Sequence, residues 1–350
     1  MTPVTLTALG DLAQLTADTI IDVRAPAEFA EDHVPGAINL PVLSDAERAE
    51  VGTIYTRVSP FDARKIGGAL VARNTAAHLQ GPLADKDGSW QPLVYCWRGG
   101  QRSGAFATIL DQVGWRVTLV KGGYRSYRRL VVEMLYDTPL PHRLIVLEGG
   151  TGTAKTRLLH LLEEAGAQML DLEGLAEHRG SLFGGLEGEQ PSQKMFESRL
   201  AAALGKLDPA RVTWVESESS KVGARIVPPS IWAAMGAAPR VMLEAPQQAR
   251  AGYLCRAYAD LTQDPGLLAQ RIDRLRPYHP RDRIAAWHEM AQAGEWRALA
   301  QELIAAHYDP RYVKTAEQAG TALDVMRLDD LDETTLASTA KALIQKFSPA

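Results

Sequence analysis

The stretch Gly149-Gly150-Thr151-Gly152-Thr153-Ala154-Lys155-Thr156 constrains this chain more than any other. It follows an apolar run, Arg143–Leu147, that reads as a strand, and it precedes a helical pattern that continues through Glu164. A strand, a glycine-rich turn and a helix in that order bring a helix N-terminus to the carboxyl end of a strand, where backbone N–H groups favour an anion. The loop amides are suited to cradle a diphosphate, Lys155 supplies a point charge, and Thr156 is suited to ligate Mg²⁺. Ala154 stands where the usual pattern has glycine, and its methyl is expected to crowd the approach to phosphate. That weakens the case for fast nucleotide hydrolysis more than the case for phosphate binding.

A second strand–loop–helix unit lies upstream, at Tyr95-Cys96-Trp97-Arg98-Gly99-Gly100-Gln101-Arg102-Ser103. Here the loop carries a cysteine. Its amides, the following helix N-terminus and the charges of Arg98 and Arg102 are expected to lower the thiol pKa and hold Cys96 as a thiolate nucleophile. Cys255, in the helical pattern Ala251–Leu261, reads as a packing residue. Two cysteines make neither a disulfide framework nor a cysteine-built zinc site for a chain of 350 residues. With no basic and apolar leader at the N-terminus and no run near the roughly 20 apolar residues that span a bilayer, the expected compartment is the reducing cytoplasm.

The length suits two domains. Over the first part, Ile20–Val23, Ala37–Leu40, Leu93–Cys96 and Val117–Val120 read as strands, alternating with helices at Ala25–Glu31, Phe61–Ala77, Arg102–Val113 and Tyr124–Leu135. That alternation predicts a parallel sheet covered by helices. The prolines of Asp137-Thr-Pro-Leu-Pro141 mark a boundary, giving a domain over 1–137, a linker over 138–142 and a second domain over 143–350. Further strands are expected at Ala167–Leu172, Val212–Val215 and Val241–Leu243. Beyond about residue 246 helical periodicity runs to the end, a C-terminal extension over about 246–350 broken at Pro265, Pro277–Pro280 and Pro310.

The partner acid of the phosphate loop is expected at the end of a neighbouring strand. Glu216 is the first choice, with an ordinary surface acid as the alternative, and Asp171 is the second. His178, Arg179 and Ser181 sit in a polar turn that either contacts substrate phosphates or is simply solvated. No residue set marks a certain metal site. The net charge of −4 excludes a protein that coats nucleic acid by bulk charge but leaves room for local patches. One patch is Lys121, Tyr124, Arg125, Arg128 and Arg129; another is Arg271, Arg274, Arg276, Arg281 and Arg283 with Tyr278 and His279. Aromatic rings among arginines suit single-stranded RNA.

Ile21-Asp22-Val23-Arg24-Ala25-Pro26-Ala27-Glu28-Phe29, His33-Val34-Pro35-Gly36-Ala37-Ile38-Asn39-Leu40-Pro41 and the Cys96 loop together resemble the rhodanese family over most of residues 10–135. Within that resemblance Asp22, Arg24, Glu28 and His33 are expected to brace loops rather than to react. Ordinary sulfurtransferases of the family have four residues between the cysteine and the closing arginine; here there are five, Trp97 to Gln101, which resembles the phosphatase-like members and makes room for a tetrahedral oxyanion. A rhodanese-like α/β domain followed by a P-loop NTPase-like α/β domain with a helical C-terminal extension resembles the bacterial tRNA 2-selenouridine synthases over essentially the whole chain. The residues that carry this resemblance are Cys96–Ser103, Lys121–Tyr124, Gly149–Thr156 and His178–Ser181.

The resemblance implies exchange of sulfur for selenium at the wobble 2-thiouridine of Lys, Glu and Gln tRNAs, with selenophosphate as donor, by way of S-geranylation from geranyl diphosphate. It implies no tightly bound cofactor, admits Mg²⁺, and expects tRNA to contact both domains. The phosphate loop would take geranyl diphosphate, and the Cys96 loop either selenophosphate or the displaced geranyl-thio group. The competing readings are a sulfurtransferase with a nucleotide-regulated P-loop domain, a phosphatase or kinase fusion, and a non-catalytic RNA-binding or phosphate-sensing module.

Overall fold

A computed structural model describes residues 1–185, 188–316 and 322–347. The chain divides into two compact units, Met1–Pro139 with Pro191–Lys206, and Leu140–Gln190 with Leu207–Ala350.

The first unit is built on five strands, β1 (Thr2–Val4), β2 (Thr19–Asp22), β3 (Ile38–Asn39), β4 (Pro92–Tyr95) and β5 (Thr118–Val120). All pair in parallel in the order β1-β5-β4-β2-β3, so β4 is the middle strand. Parallel strands need covered faces, and the helices Pro60–Gln80 and Gln101–Val113 supply Val71, Phe106, Ala107 and Leu110 to a core shared with Ile21, Val23, Val94 and Trp115. The sequence reading misses β1, an edge strand of three residues, and the helix Asp45–Arg57. The helix start is nonetheless written in the chain: Ser44 accepts from the Glu47 amide while the Glu47 carboxylate accepts from the Ser44 amide.

Grouping within this unit is not linear. The helix Gln193–Leu204, which a boundary at 138–142 assigns to the second domain, packs here. Glu197 is buried and receives Arg128 and the Tyr136 hydroxyl, while Lys194 pairs with Glu31. Such pairs join residues more than 60 positions apart, and no local pattern announces them.

The second unit carries β6 (Arg143–Gly149), β7 (Gln168–Leu170), β8 (Val212–Glu216), a hairpin of β9 (Lys221–Val222) and β10 (Arg225–Ile226), then β11 (Arg240–Glu244) and β12 (Asp324–Arg327). The five-stranded sheet is again all parallel, in the order β12-β11-β6-β8-β7, with β6 in the middle. Trp214, Leu158, Leu162, Val241 and Leu343 fill the space between this sheet and the helices Lys155–Glu164 and Glu333–Phe347. A separate cluster of Leu268, Ile272, Ile284, Trp287 and Leu299 holds the helices that follow β11. Within the expected helical extension the structure adds one strand, β12, which pairs with β11 from Val241–Asp324 to Glu244–Arg327. Four residues at a sheet edge are too few for periodicity to register. Residues 317–321 and 348–350 of that expected tail lie outside the described ones. No helix among the described residues is long and apolar enough to cross a membrane.

The loops at the carboxyl end of the first sheet are held by a buried ion pair. Asp22 and Arg24 are both essentially inaccessible, Arg24 Nη2 lies 2.6 Å from Asp22 Oδ2, and the same nitrogen donates to the Asp32 carbonyl. Removing one partner leaves a buried charge uncompensated, so Asp22→Ala is expected to cost about 3–5 kcal/mol. Urea unfolding followed by tryptophan fluorescence checks this; a loss under about 1 kcal/mol would show that the pair does not hold the unit together.

Candidate functional site

In the first unit the chain leaves β4 at Tyr95 and turns through Cys96–Gly100 into the helix Gln101–Val113. The turn closes on a second one. Gly99 and Gly123 have φ of +64° and +57°, and a Cβ on Gly123 would lie 2.1 Å from the Cys96 carbonyl oxygen. The Tyr124 and Arg125 amides donate to the carbonyls of Cys96 and Trp97 at 2.8 and 3.1 Å. Carbonyls are thereby engaged on one side. Among the described residues, no protein acceptor meets the amides of Trp97 through Ser103. That is a nest of free N–H groups at a helix N-terminus.

The sulfur lies beneath it. Cys96 is 3% exposed and shares the core with Val94 and Phe106. Its Sγ accepts a 3.0 Å hydrogen bond from the Ser103 hydroxyl, itself fully buried. Arg98 is exposed and, among the described residues, has no carboxylate partner. Arg102 departs from expectation: it makes a two-pronged pair with Glu28, at 2.6 and 3.3 Å, so its charge is neutralised there rather than offered to the sulfur. Burial pushes the Glu28 carboxyl up, but the Arg102 hydrogen bond and charge carry it below its ordinary value.

Two expected RNA contacts are also corrected. Tyr124 is buried, donates to Asp32 at 2.5 Å and carries the Arg24 guanidinium 4.0 Å above its ring, so it meets the groove as part of the wall behind Trp97. Arg128 is largely enclosed by Glu197 and the Lys194 carbonyl. Lys121, Arg125 and Arg129 are exposed and, among the described residues, pair with no carboxylate. A groove of about 660 Å³ runs beside Arg125 and Arg129, with Trp97, Tyr124, Arg128 and Lys194 in its wall and the acids Glu133 and Asp137 along it. The Trp97 ring stacks on Tyr124 at 5.3 Å, an aromatic support that sequence reading does not supply. Sequence reading misses Lys194 as well, because it belongs to the helix assigned to the other domain.

In the second unit β6 runs into Gly149–Thr153, and the helix begins at Lys155. Ala154 has φ +63°, a left-handed conformation that an alanine adopts at a cost. The residue is 3% exposed and belongs to the core cluster that includes Leu147, Leu158 and Trp214. The expected crowding of phosphate is therefore corrected: the methyl belongs to the core. Lys155 Nζ donates to the Gly149 carbonyl at 2.8 Å, spanning the loop, and the Arg250 Nε donates to the Thr151 carbonyl at the same distance. Among the described residues, no protein acceptor meets the amides of Gly152, Ala154, Lys155 and Thr156.

Carboxylates crowd behind this loop. Thr156 Oγ donates to Glu173 at 2.9 Å, and the Glu173 amide donates to Glu216 Oε1 at 3.0 Å. Glu216 is fully buried at the end of β8, and its Oε2 has no hydrogen-bond partner among the described residues. Burial, then Asp171 and Glu173, push its carboxyl well above the ordinary value. Glu218 is pushed up to about 8 by burial and by Glu173, against the opposing charge of Lys155. Burial lowers the Lys155 ammonium, and Glu218, Glu173 and Glu216 oppose that. Glu173 and Glu218 join Glu216 here, whereas sequence reading singles out Glu216 and Asp171 alone. The legible signal is that both follow strands of the same sheet. Among the described residues, no three His, Cys, Asp or Glu side chains form a ready metal cage.

The turn His178–Ser181 meets the same cluster: a Cβ on Gly180 would lie 2.5 Å from Glu218 Oε1 and 2.6 Å from Glu173 Oε1. Arg179, however, pairs with Asp260 and lies over the Tyr258 ring, and Ser181 is in hydrogen-bond contact with the Tyr258 hydroxyl. Burial and the nearby Arg271 and Arg274 push His178 below its ordinary value. Of the second basic patch, Arg271 is 8% exposed with its Nη2 on the Gly185 carbonyl, and Arg276 pairs with Asp273. Arg274 and Arg281 remain exposed and, among the described residues, unpaired.

A family model for the rhodanese-like domain matches residues 6–130, and one described as the tRNA 2-selenouridine synthase AAA domain matches residues 142–274. A tRNA 2-selenouridine synthase of Psychromonas ingrahamii is 36% identical over 251 residues, covering 71% of this chain and 67% of that protein. Proteins of the same description from Nitrosomonas europaea and Aeromonas salmonicida are 37% and 38% identical, covering 77% and 71% of this chain and 71% and 67% of their own.

The elevated Glu218 carboxyl has a signed consequence. Between pH 4.5 and about 8 the folded unit keeps a proton there that the unfolded chain has released, so stability falls as pH rises through that window. Glu218→Gln is expected to flatten this part of the profile, making the variant relatively more stable near pH 8 than near pH 5. Urea titrations across the window measure it; parallel curves for the two proteins would show that Glu218 titrates normally.

Proposed function

The chain belongs to the family of tRNA 2-selenouridine synthases, and from that premise we propose that it replaces the sulfur of tRNA 2-thiouridine with selenium. The finer reading is that the wobble uridine of Lys, Glu and Gln tRNAs is the target, and that reaction proceeds through an S-geranyl intermediate. In the first step the thiouridine sulfur attacks C1 of geranyl diphosphate; a C–S bond forms, the C–O bond breaks and pyrophosphate leaves. In the second, the selenium of selenophosphate forms a bond to C2 of the base, the C–S bond breaks and geranylthiol departs with a proton, while water cleaves the P–Se bond and takes the phosphoryl group as phosphate.

The observation that carries this reading is the pair of free-amide nests, each following the middle strand of a parallel sheet, one with a sulfur beneath it. The two small donors are both phosphate compounds. The diphosphate fits the Gly149–Thr156 loop, where Lys155 balances the leaving group's charge. The tetrahedral selenophosphate fits the Cys96–Ser103 loop, with Arg98 as the unneutralised cation and the Ser103 hydroxyl holding the sulfur in place. Mg²⁺, if bound, would be held by Thr156 once released from Glu173, and would supply charge to the departing diphosphate. Trp97, Arg125, Arg129 and Lys194 form the groove suited to unstacked nucleotides.

Thiolated tRNA incubated with the protein, geranyl diphosphate and selenophosphate, then digested to nucleosides, is expected to show both the C10 adduct and the selenium product by mass spectrometry. Lys155→Ala is expected to slow C10 addition on the order of a hundredfold. Cys96→Ser is expected to slow selenium exchange by about a thousandfold. Unchanged products in Cys96→Ser would remove the sulfur from the chemistry. Untouched RNA with brisk thiocyanate formation from thiosulfate and cyanide would make the protein a sulfurtransferase instead.

A further inference from the structure

Beside the phosphate loop lies an apolar cavity of about 80 Å³ whose wall includes Thr151 of the loop itself. The helix Gln247–Ala257 joins the two. Its Arg250 fixes the Thr151 carbonyl, and one turn later Leu254 faces both Gly152, whose Cβ would lie 3.0 Å from Leu254 Cγ, and the cavity. Leu268 and Trp296, from helices Pro265–Asp273 and Trp296–Leu303, form other parts of the wall, with Cys255 and the small Ala300 between larger groups.

Among the described residues no charged side chain lines this space, and most of its wall is hydrocarbon, from Phe183, Leu254, Leu261, Leu268, Leu299 and Leu303. The Ser181 and Tyr258 hydroxyls face each other at 3.2 Å and satisfy one another. A wall of this kind favours an apolar guest. A purine base would bring ring nitrogens and an exocyclic amine that find few partners there, and unpaired polar groups are costly to bury. An anion nest that shares Thr151 with the wall of an apolar chamber is complementary to a ligand with a diphosphate head and a hydrocarbon tail.

We propose that this chamber houses the isoprenoid tail of the diphosphate bound in the loop, and that its walls, Trp296 and Ala300 foremost, select the length of that tail. The proposal rests on the reading above that the loop takes a prenyl diphosphate. It adds where the chain lies, what excludes a nucleotide, and which residues set the limit. Cys255, a free half-buried thiol in the wall, is a built-in reporter of occupancy.

The full-length protein is titrated calorimetrically with inorganic pyrophosphate, dimethylallyl, geranyl and farnesyl diphosphates, and ATP. Each buried methylene contributes favourably, so affinity is expected to rise at least about tenfold from pyrophosphate to the C10 compound. In a Cys96→Ser background, geranyl diphosphate is expected to slow maleimide labelling of Cys255 about tenfold or more, and pyrophosphate is expected not to. Trp296→Ala should shift preference from C10 toward C15, and Ala300→Phe should bring C10 affinity down to that of pyrophosphate, with pyrophosphate affinity itself unchanged. Should either variant fail to fold, the labelling experiment on the intact wall still decides. Pyrophosphate and the C10 compound binding alike, with no protection of Cys255, would overturn the tail site and leave the phosphate loop's role standing. No binding by any diphosphate would overturn both. ATP binding as tightly as the C10 compound and protecting Cys255 equally would assign the chamber to a nucleoside.

Discussion

The molecule depends on backbone amides that have no protein partner among the described residues. A helix start leaves its first N–H groups unsatisfied, and parallel sheets place such starts at the carboxyl ends of strands. In both units the helix in question follows the middle strand, β4 or β6, where neighbouring strands on each side supply further loops around it. The carbonyl side of each turn is tied down, by Tyr124 and Arg125 in one case and by Lys155 and Arg250 in the other. What remains is a fixed set of donors whose natural complement is an oxyanion. The two units share this device and differ in what they set beneath it.

Under the first nest is the Cys96 sulfur, 3% exposed in an apolar bed. The arginine that closes the loop is not free to act on it, since Glu28 takes both of its prongs. The immediate influences on Sγ are thus the Ser103 hydroxyl and the helix N-terminus. Under the second nest lie carboxyls. Glu173, Glu216 and Glu218 converge on Lys155 and Thr156, and burial keeps two of these carboxyls above their ordinary range. A diphosphate entering there meets the loop amides and Lys155 first, with the acids behind. An environment that holds protons on its acids is one that tolerates an arriving anion.

Both nests are legible in the sequence because each is a contiguous run: a strand, glycines, a polar or charged residue, then a helix. The sheet-bracing Asp22 and Arg24 are legible for the same reason. What the chain does not disclose is pairing across distance. Arg102, Arg128, Arg179 and Arg271 all look like available cations in one dimension, yet each has found an acceptor on another segment, at Glu28, Glu197, Asp260 and Gly185. Tyr124 reads as a stacking surface and is a buried strut, while Trp97 beside the cysteine is the ring that faces the groove. The helix Gln193–Leu204 groups with a sheet from which it is far removed in sequence. The apolar chamber beside Thr151 is invisible for a different reason: its wall is assembled from four separated stretches, none of which is unusual alone.

Ala154 joins these threads. On sequence grounds its methyl is a flaw in a phosphate cradle; in the fold it is a peg in the core cluster that also holds Leu147, Leu158 and Trp214. Holding an alanine at φ +63° costs on the order of 1–2 kcal/mol, and burying a methyl group recovers roughly 0.8 kcal/mol of that. The balance is a net cost of roughly 0.2–1.2 kcal/mol in stability and a gain in order. A glycine at this position would leave the last loop residue free to wander before the helix begins. The peg fixes the loop from below, as Arg250 fixes it from the side at Thr151. Donors already held in place need no reordering when an anion arrives, so less affinity is lost to conformational entropy. The departure from the usual pattern thus acts on the rigidity of the nest and leaves its opening clear.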